Sequence, residues 1–210
     1  RNFSLQHVTK LSVCSSPFQD GFPDCPSIFD HMALPSDLLR DRTTQLRPLE
    51  PADIDAVMSW ENDTEHWMVT GTTTPFSRAA LEAHCMGHQD IYSAGQLRWM
   101  IDEAGQTAGA VDLYNFSARD RRAGIGILVA PDHRGQGIAR RALSIALRHA
   151  KQALLLNSMH AEVHADHPDS LRLFQSAGFK EIGQYKDWTR TPEGWKDVVL
   201  LQQTFNALPT

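Results

Sequence analysis

Cysteine is scarce: Cys14, Cys25 and Cys85 are the only three in 210 residues, an odd number with no Cys-x-x-Cys spacing. That argues against a disulfide framework and for a reducing compartment, so the expected location is cytoplasmic. No run approaches the roughly 20 consecutive apolar residues that a bilayer crossing needs, so no membrane partner is expected. A basic segment followed by an apolar one, the mark of a secretion signal, does not open the chain. Positive charge is in short supply too, with 20 Lys and Arg against 25 Asp and Glu for a net charge of −5. Non-specific nucleic-acid binding needs a dense basic face, so no nucleic-acid partner is expected.

What remains is an ordinary globular composition, 41% hydrophobic and 21% charged, at a length suited to one domain with an appendage. Residues 1–42 carry Pro17, Pro23, Pro26 and Pro35 and no sustained period, and read as a leader or extension with Met32 as a candidate start. Residues 43–210 read as the domain. There, Gln45–Glu50 is a strand candidate and Ala52–Trp60 a helix. Ser77 is placed to cap a second helix, Arg78–Met86. Leu97–Asp102 and Thr107–Phe116 read as strands joined by a turn at Gly105, and Arg122–Val129 as a strand buried on both faces. A helix reaches to about Ala153, with Ile138, Ala142, Leu143, Ala146 and Ala150 at helical spacing. Met159–Ala165, Phe179–Ile182 and Val198–Phe205 are further strands, and His167–Ala177 a helix with Pro168 in its first turn. The fold class is therefore α/β, a mixed sheet flanked by helices.

The segment Arg134-Gly135-Gln136-Gly137-Ile138-Ala139 joins a buried strand to the long helix. Glycines there let backbone N–H groups converge, and the helix adds its positive end, which makes an anion site suited to a pyrophosphate. A Walker A loop would need Gly-Lys-Ser/Thr, where this chain has Gly137-Ile138-Ala139. A dinucleotide fingerprint needs a third glycine, where this chain has Ala139.

These residues resemble the Arg/Gln-x-x-Gly-x-Gly/Ala signature of the GNAT N-acetyltransferases. Ser170-Leu171-Arg172-Leu173-Phe174 with Ala177-Gly178-Phe179 is similar to a second segment of that family, and Gln45–Leu49 to its opening strand. Arg121-Arg122-Ala123 is similar to the branch with spermidine and ribosomal-protein alanine N-acetyltransferases. The resemblance covers about 44–205. It implies a mostly antiparallel sheet and transfer of an acetyl group from acetyl-CoA directly to a primary amine, of a polyamine or a protein N-terminus. It also implies a bulge in the strand before the loop, with the Leu128 and Val129 backbone pairing the pantetheine arm and offering an oxyanion N–H. The amides of Arg134, Gly135, Gln136, Gly137, Ile138 and Ala139 are then expected to hold the pyrophosphate. Homodimerisation through the C-terminal strands is a further implication.

Glu162, on the strand after the long helix, is expected to be partly buried and to take the amine proton. Glu61, in Trp60-Glu61-Asn62-Asp63, is a second base candidate or a binder of a cationic substrate. Where the family usually has a Tyr as proton donor to the thiolate, this chain has Phe174, expected against the CoA arm. Where the family has Asn, it has His167, a candidate donor in its place. Phe174 also permits a non-catalytic acyl-CoA-binding sensor, and an aminoglycoside or amino-sugar acetyltransferase is the rival enzyme reading. His160, Glu162 and His164 share one strand face, but ligands about 7 Å apart along a strand do not converge on one tetrahedral ion, so no metal is expected. The five tryptophans are expected as core and pocket wall. Residues 44–105 hold ten acids against three bases, and 106–160 eight bases against three acids. A basic half suits a polyanionic co-substrate and an acidic half a cationic amine.

Overall fold

A computed structural model of the chain describes residues 37–205 apart from 65, 66, 68–71, 88 and 89. The leader segment 1–31 and Met32 lie outside the described residues. The chain divides into two units, and the folded domain belongs to the second, Leu34–Thr210. Eight strands form one sheet in the order β1-β2-β3-β4-β5-β6-β8-β7. They are β1 (Arg40–Asp41), β2 (Thr44–Pro48), β3 (Leu97–Glu103), β4 (Gln106–Ser117), β5 (Arg122–Val129), β6 (Ser158–His164), β7 (Lys180–Thr191) and β8 (Gly194–Thr204). Every neighbouring pair is antiparallel except β5 and β6. A parallel pair needs a crossover, and helix α4 (Ile138–Gln152) supplies it. The other helices are α1 (Ile54–Glu61), α2 (Arg78–Met86), the single turn α3 (Ile91–Ala94) and α5 (Pro168–Ser176).

Alternation along the strands sorts their side chains onto two faces. On one, Leu46, Ile101, Val111, Leu113 and Ile125 pack against Ala142, Leu143, Ile145 and Ala146 of α4 and Phe174 of α5. On the other, Met100 and Ala110 pack beneath Ile54 and Val57 of α1 and Leu81 and Cys85 of α2. Ser77 caps α2 as its sequence suggests, its hydroxyl accepting from the Ala80 amide. A partly buried ion pair anchors β2. Arg47 donates to both Asp53 oxygens at 2.7 Å, and the Glu50 amide donates to the same carboxylate at 3.0 Å. Burial alone would raise the Asp53 carboxyl. Its bonds with Arg47, the Glu50 amide and Thr107 outweigh that and hold it below the usual carboxylate range.

Three differences from the sequence reading have physical causes. The folded domain includes residues before 43: β1 pairs with β2, and Arg148 of α4 donates to the carbonyls of Asp37, Leu38 and Arg40. A two-residue strand held by backbone carbonyls leaves no hydropathy period to read. The C-terminal hairpin is far longer than its apolar runs, because Gln184–Thr191 pairs with Gly194–Val199 through mainly polar, exposed residues. That hairpin also overturns the tryptophan expectation in part: Trp99 is buried, but Trp188 and Trp195 are exposed, and Trp188 stacks on Tyr185. Finally, β5 is buried only over Ala123–Ile125 and is half-exposed from Gly126 to Val129. The cause is that β6 pairs with β5 only as far as Gly124 and then leaves its side uncovered.

Candidate active site

The ladder between β5 and β6 is short. It runs Arg122↔Ser158, Ala123↔Met159 and Gly124↔His160, then stops. Beyond it β5 continues beside β4 alone, from Ile125 to Val129, while β6 continues beside β8. The two strands therefore bound a gap with backbone N–H and C=O groups along its walls, the Val129 N–H among them, whereas alternation turns the Leu128 groups toward Ala110 of β4. An extended amide-bearing arm can pair with such groups as a strand would. The bulge expected in β5 is not at Leu128 or Val129. The β4–β5 register is continuous there and shifts instead between Tyr114 and Ser117, where Asn115 takes a positive φ of 49°.

At the open end of the gap lies the glycine loop. Gly135 and Gly137 both adopt the left-handed conformation, at φ 74° and 72°, which turns successive amides toward one side. Side-chain donors tie back the loop carbonyls: Arg134 Nε to Val129 O, Gln136 Nε2 to Asp132 O and Arg141 Nη1 to Gln136 O. No side chain caps α4 at Gly137. The first-turn amides and the helix dipole are thus arranged to receive an anion. Beside them a cavity of about 420 Å³ is lined by Asp41, Arg42, Gly137, Arg140, Arg141 and Ser144, with three arginines among the six. A pyrophosphate-bearing ligand fits this chemistry, and Arg134, Gly135, Gln136, Gly137, Ile138 and Ala139 are the residues placed to hold it.

A second group of side chains lies on the sheet face that α1 and α2 cover. Register sets two rows across it, Arg98–Asp112–Gly126 and Tyr114–Gly124–His160. Arg98 donates to Asp112 through Nε and Nη2 (2.7 and 2.9 Å) and to Glu61 Oε1 through Nη1 (2.5 Å). Burial opposes the Arg98 charge, but its bonds and charge pairing with Asp112 and Glu61 win, so the guanidinium is held protonated. Glu61 is therefore already partnered by Arg98 and 17% exposed, rather than a free helix-end carboxylate. Tyr114 lies against Gly124: a Cβ built there would come within 2.2 Å of its ring. The Tyr114 ring meets His160 edge-on at 5.7 Å. Burial first, then the Glu162 and Asp112 charges, push its phenol up to about 12, against the Glu162 main-chain amide. Burial likewise lowers His160 and His164 from the ordinary histidine value.

Glu162 is two residues past the last β5–β6 pair, on this same face, and is exposed rather than partly buried as expected. Alternation explains the difference, because Ala161 and Val163 take the core positions and direct Glu162 away from them. His167 is the N-cap of α5, its Nδ1 accepting from the Ser170 amide at 3.3 Å. One ring nitrogen is thus committed to a structural bond. Phe174 departs further from expectation. It is 3% exposed and packed edge-on to Phe179 inside the main core, a packing role rather than a wall of the gap. Arg98, Asp112 and Tyr114 were not among the candidate site residues of the sequence. The signal that could have found them is the period of two in β4, which puts Asp112 and Tyr114 on one face opposite Gly126 and Gly124. Among the described residues, no group of three His, Cys, Asp or Glu is disposed to hold a metal ion.

A family model for the acetyltransferase (GNAT) domain matches residues 44–180. The chain belongs to the GNAT acetyltransferase family. This domain is thus an acetyl-CoA-dependent N-acetyltransferase, with acetyl-CoA as co-substrate. Spermidine N(1)-acetyltransferase of Escherichia coli K12 is 25% identical over 145 residues, covering 68% of this chain and 75% of that protein. A putative phosphinothricin acetyltransferase of Bacillus subtilis is 30% identical over 144 residues, covering 67% of this chain and 86% of that protein. Among solved structures, spermidine N-acetyltransferase from Vibrio cholerae in complex with CoA and spermine superposes with a TM-score of 0.71 at 24% identity. It covers 77% of this chain and 95% of that one. The family match spans β2 to β6 and the helices α1 to α5, and no helix among the described residues is long and apolar enough to cross a membrane.

Proposed function

We propose that this acetyltransferase acts on a primary amine of a multiply cationic, polyamine-type acceptor, with Glu162 taking the amine proton. The observation that carries the reading is that Asp112 and Glu162 share the sheet face beside the β5–β6 gap, with Glu61 of α1 joined to it through Arg98. Arg98 offsets only part of their charge, and a face of net negative sign concentrates a polycation. The relatives named spermidine N-acetyltransferases support the same acceptor class. When bound, acetyl-CoA supplies an acetyl group activated as a thioester. The Arg134–Ala139 amides hold the pyrophosphate, and the Val129 N–H, the one of the Leu128–Val129 pair that faces the gap, stabilises the oxyanion. Exposed Glu162 accepts the proton from the attacking amine and exchanges it with solvent or a neighbour. A cytoplasmic location and self-association belong to the same proposal. The Vibrio cholerae spermidine N-acetyltransferase is described in a dodecameric structure, and sedimentation of this chain checks the association.

The relative named a putative phosphinothricin acetyltransferase favours a second reading, a small amino-acid acceptor. Thiol release from acetyl-CoA separates the two when spermidine, spermine, putrescine, an alanine-starting peptide, kanamycin and phosphinothricin are compared. Turnover greatest with the polyamines, and lost in Glu162→Gln at unchanged CoA affinity, supports the proposal. Turnover confined to phosphinothricin, kanamycin or the peptide overturns the polyamine assignment.

A further inference from the structure

The leaving thiolate needs a proton, and α5 offers none from Phe174, whose ring is buried in the core. His167 already uses Nδ1 to cap α5. A phenol stands on the other side of the gap. Tyr114 projects from β4 across β5, and it passes there because residue 124 is glycine, where any Cβ would overlap the ring. The ring rests edge-on against His160, the last residue of β6 still paired with β5. The phenol is close enough to Glu162, just past the point where the strands part, to feel that residue's charge and main-chain amide. The phenol therefore sits at the closed end of the gap, beside the carboxylate proposed to take the amine proton.

We propose that Tyr114 is a catalytic residue of this acetyl transfer, the acid that protonates the leaving thiolate, in a relay with Glu162. The inference rests on the reading of the gap and Glu162 as the transfer site. The protons balance within the site. The amine N–H bond breaks and its proton goes to the Glu162 carboxylate. The Tyr114 O–H bond breaks as the S–H bond forms. The Glu162 proton then returns to the phenolate, so no outside donor is needed. Burial and the Glu162 charge keep the phenol protonated at any working pH. Protonation of Glu162 removes that charge and puts a donor beside the phenol, so the relay runs in the direction of turnover.

Two measurements test it. Tyr114→Phe keeps the ring against Gly124 and His160 and removes only the hydroxyl. Its kcat is expected to fall on the order of 100-fold or more, with CoA affinity by calorimetry and the melting midpoint unchanged. In a Tyr92→Phe, Tyr185→Phe background Tyr114 is the one tyrosine left of three. Its phenol should titrate near 12 by ultraviolet absorbance and move down on adding Glu162→Gln. Wild-type kcat in Tyr114→Phe overturns the proposal, as does loss of CoA affinity in step with turnover, which marks a packing role. A phenol titration indifferent to Glu162→Gln overturns the relay. A wild-type chain that binds CoA but transfers to no amine in the panel overturns the reading of the site, and the proposal with it.

Discussion

Gly137 offers the sharpest perturbation of the anion loop. Two variants separate its backbone from its charge environment. Gly137→Ala must hold φ near 72° with a side chain, at a cost of about 1–2 kcal/mol of stability. Its Cβ would meet Arg141 Nη1 at 3.3 Å, the movable end of a long side chain, so little steric cost is added. Gly137→Glu carries the same backbone cost and places a carboxylate where the pyrophosphate is expected. At about 5 Å and an effective dielectric constant near 20, one pair of like charges repels by about 3 kcal/mol. That is about a hundredfold in affinity. The expected result is therefore near-equal melting midpoints for the two variants, with CoA bound by calorimetry about a hundredfold more weakly by Glu than by Ala. Equal CoA affinity in the two variants would refute the assignment of the loop.

Asp53→Asn leaves Arg47 without its bidentate partner and should destabilise the domain by about 3 kcal/mol in urea denaturation. This is the low end for breaking a buried pair, because Arg47 remains a quarter exposed. The same pair contributes stability that is lost as pH falls through the depressed Asp53 pKa, so Asp53→Asn should flatten the acid limb of stability against pH. His149, His160 and His164 are each lowered by burial from 6.5. Below that value the unfolded chain binds protons that the folded one does not, so stability is full above about 6.5 and declines beneath it. The urea midpoint measured across that range checks this, and a midpoint flat from neutral to mildly acid pH would contradict it.

The elements that position the site were legible where a period or a turn signal was strong. β5 runs from Arg122 to Val129 as read, α4 begins after Gly137, and Ser77 caps α2. The mixed, mostly antiparallel sheet follows from those strands and the resemblance to the family. What the sequence left out depends on partners distant along the chain. β1 is held by Arg148 of α4, more than a hundred residues away. The polar half of the β7–β8 hairpin is pinned by Asp197, which accepts from Gln184, Lys186 and the Asp187 amide, and no hydropathy pattern reports that. Glu61 reads alone as a helix-end acid and becomes an ion-pair partner only because β3 brings Arg98 beside it. Phe174 sits on a motif position, and its burial could be known only once Phe179 and α4 were packed around it. Tyr114 needed the register of three strands at once.

Acetyl transfer to a polycationic amine, with Glu162 as proton acceptor, is open to one direct experiment. That experiment is CoA thiol release from acetyl-CoA with spermidine, comparing the wild-type chain with Glu162→Gln. The wild type is expected to turn over, and Glu162→Gln to lose that turnover while its CoA affinity holds. Full turnover in Glu162→Gln would rule out Glu162 as the proton acceptor, and a wild type that binds CoA and leaves spermidine untouched would rule out the polyamine acceptor.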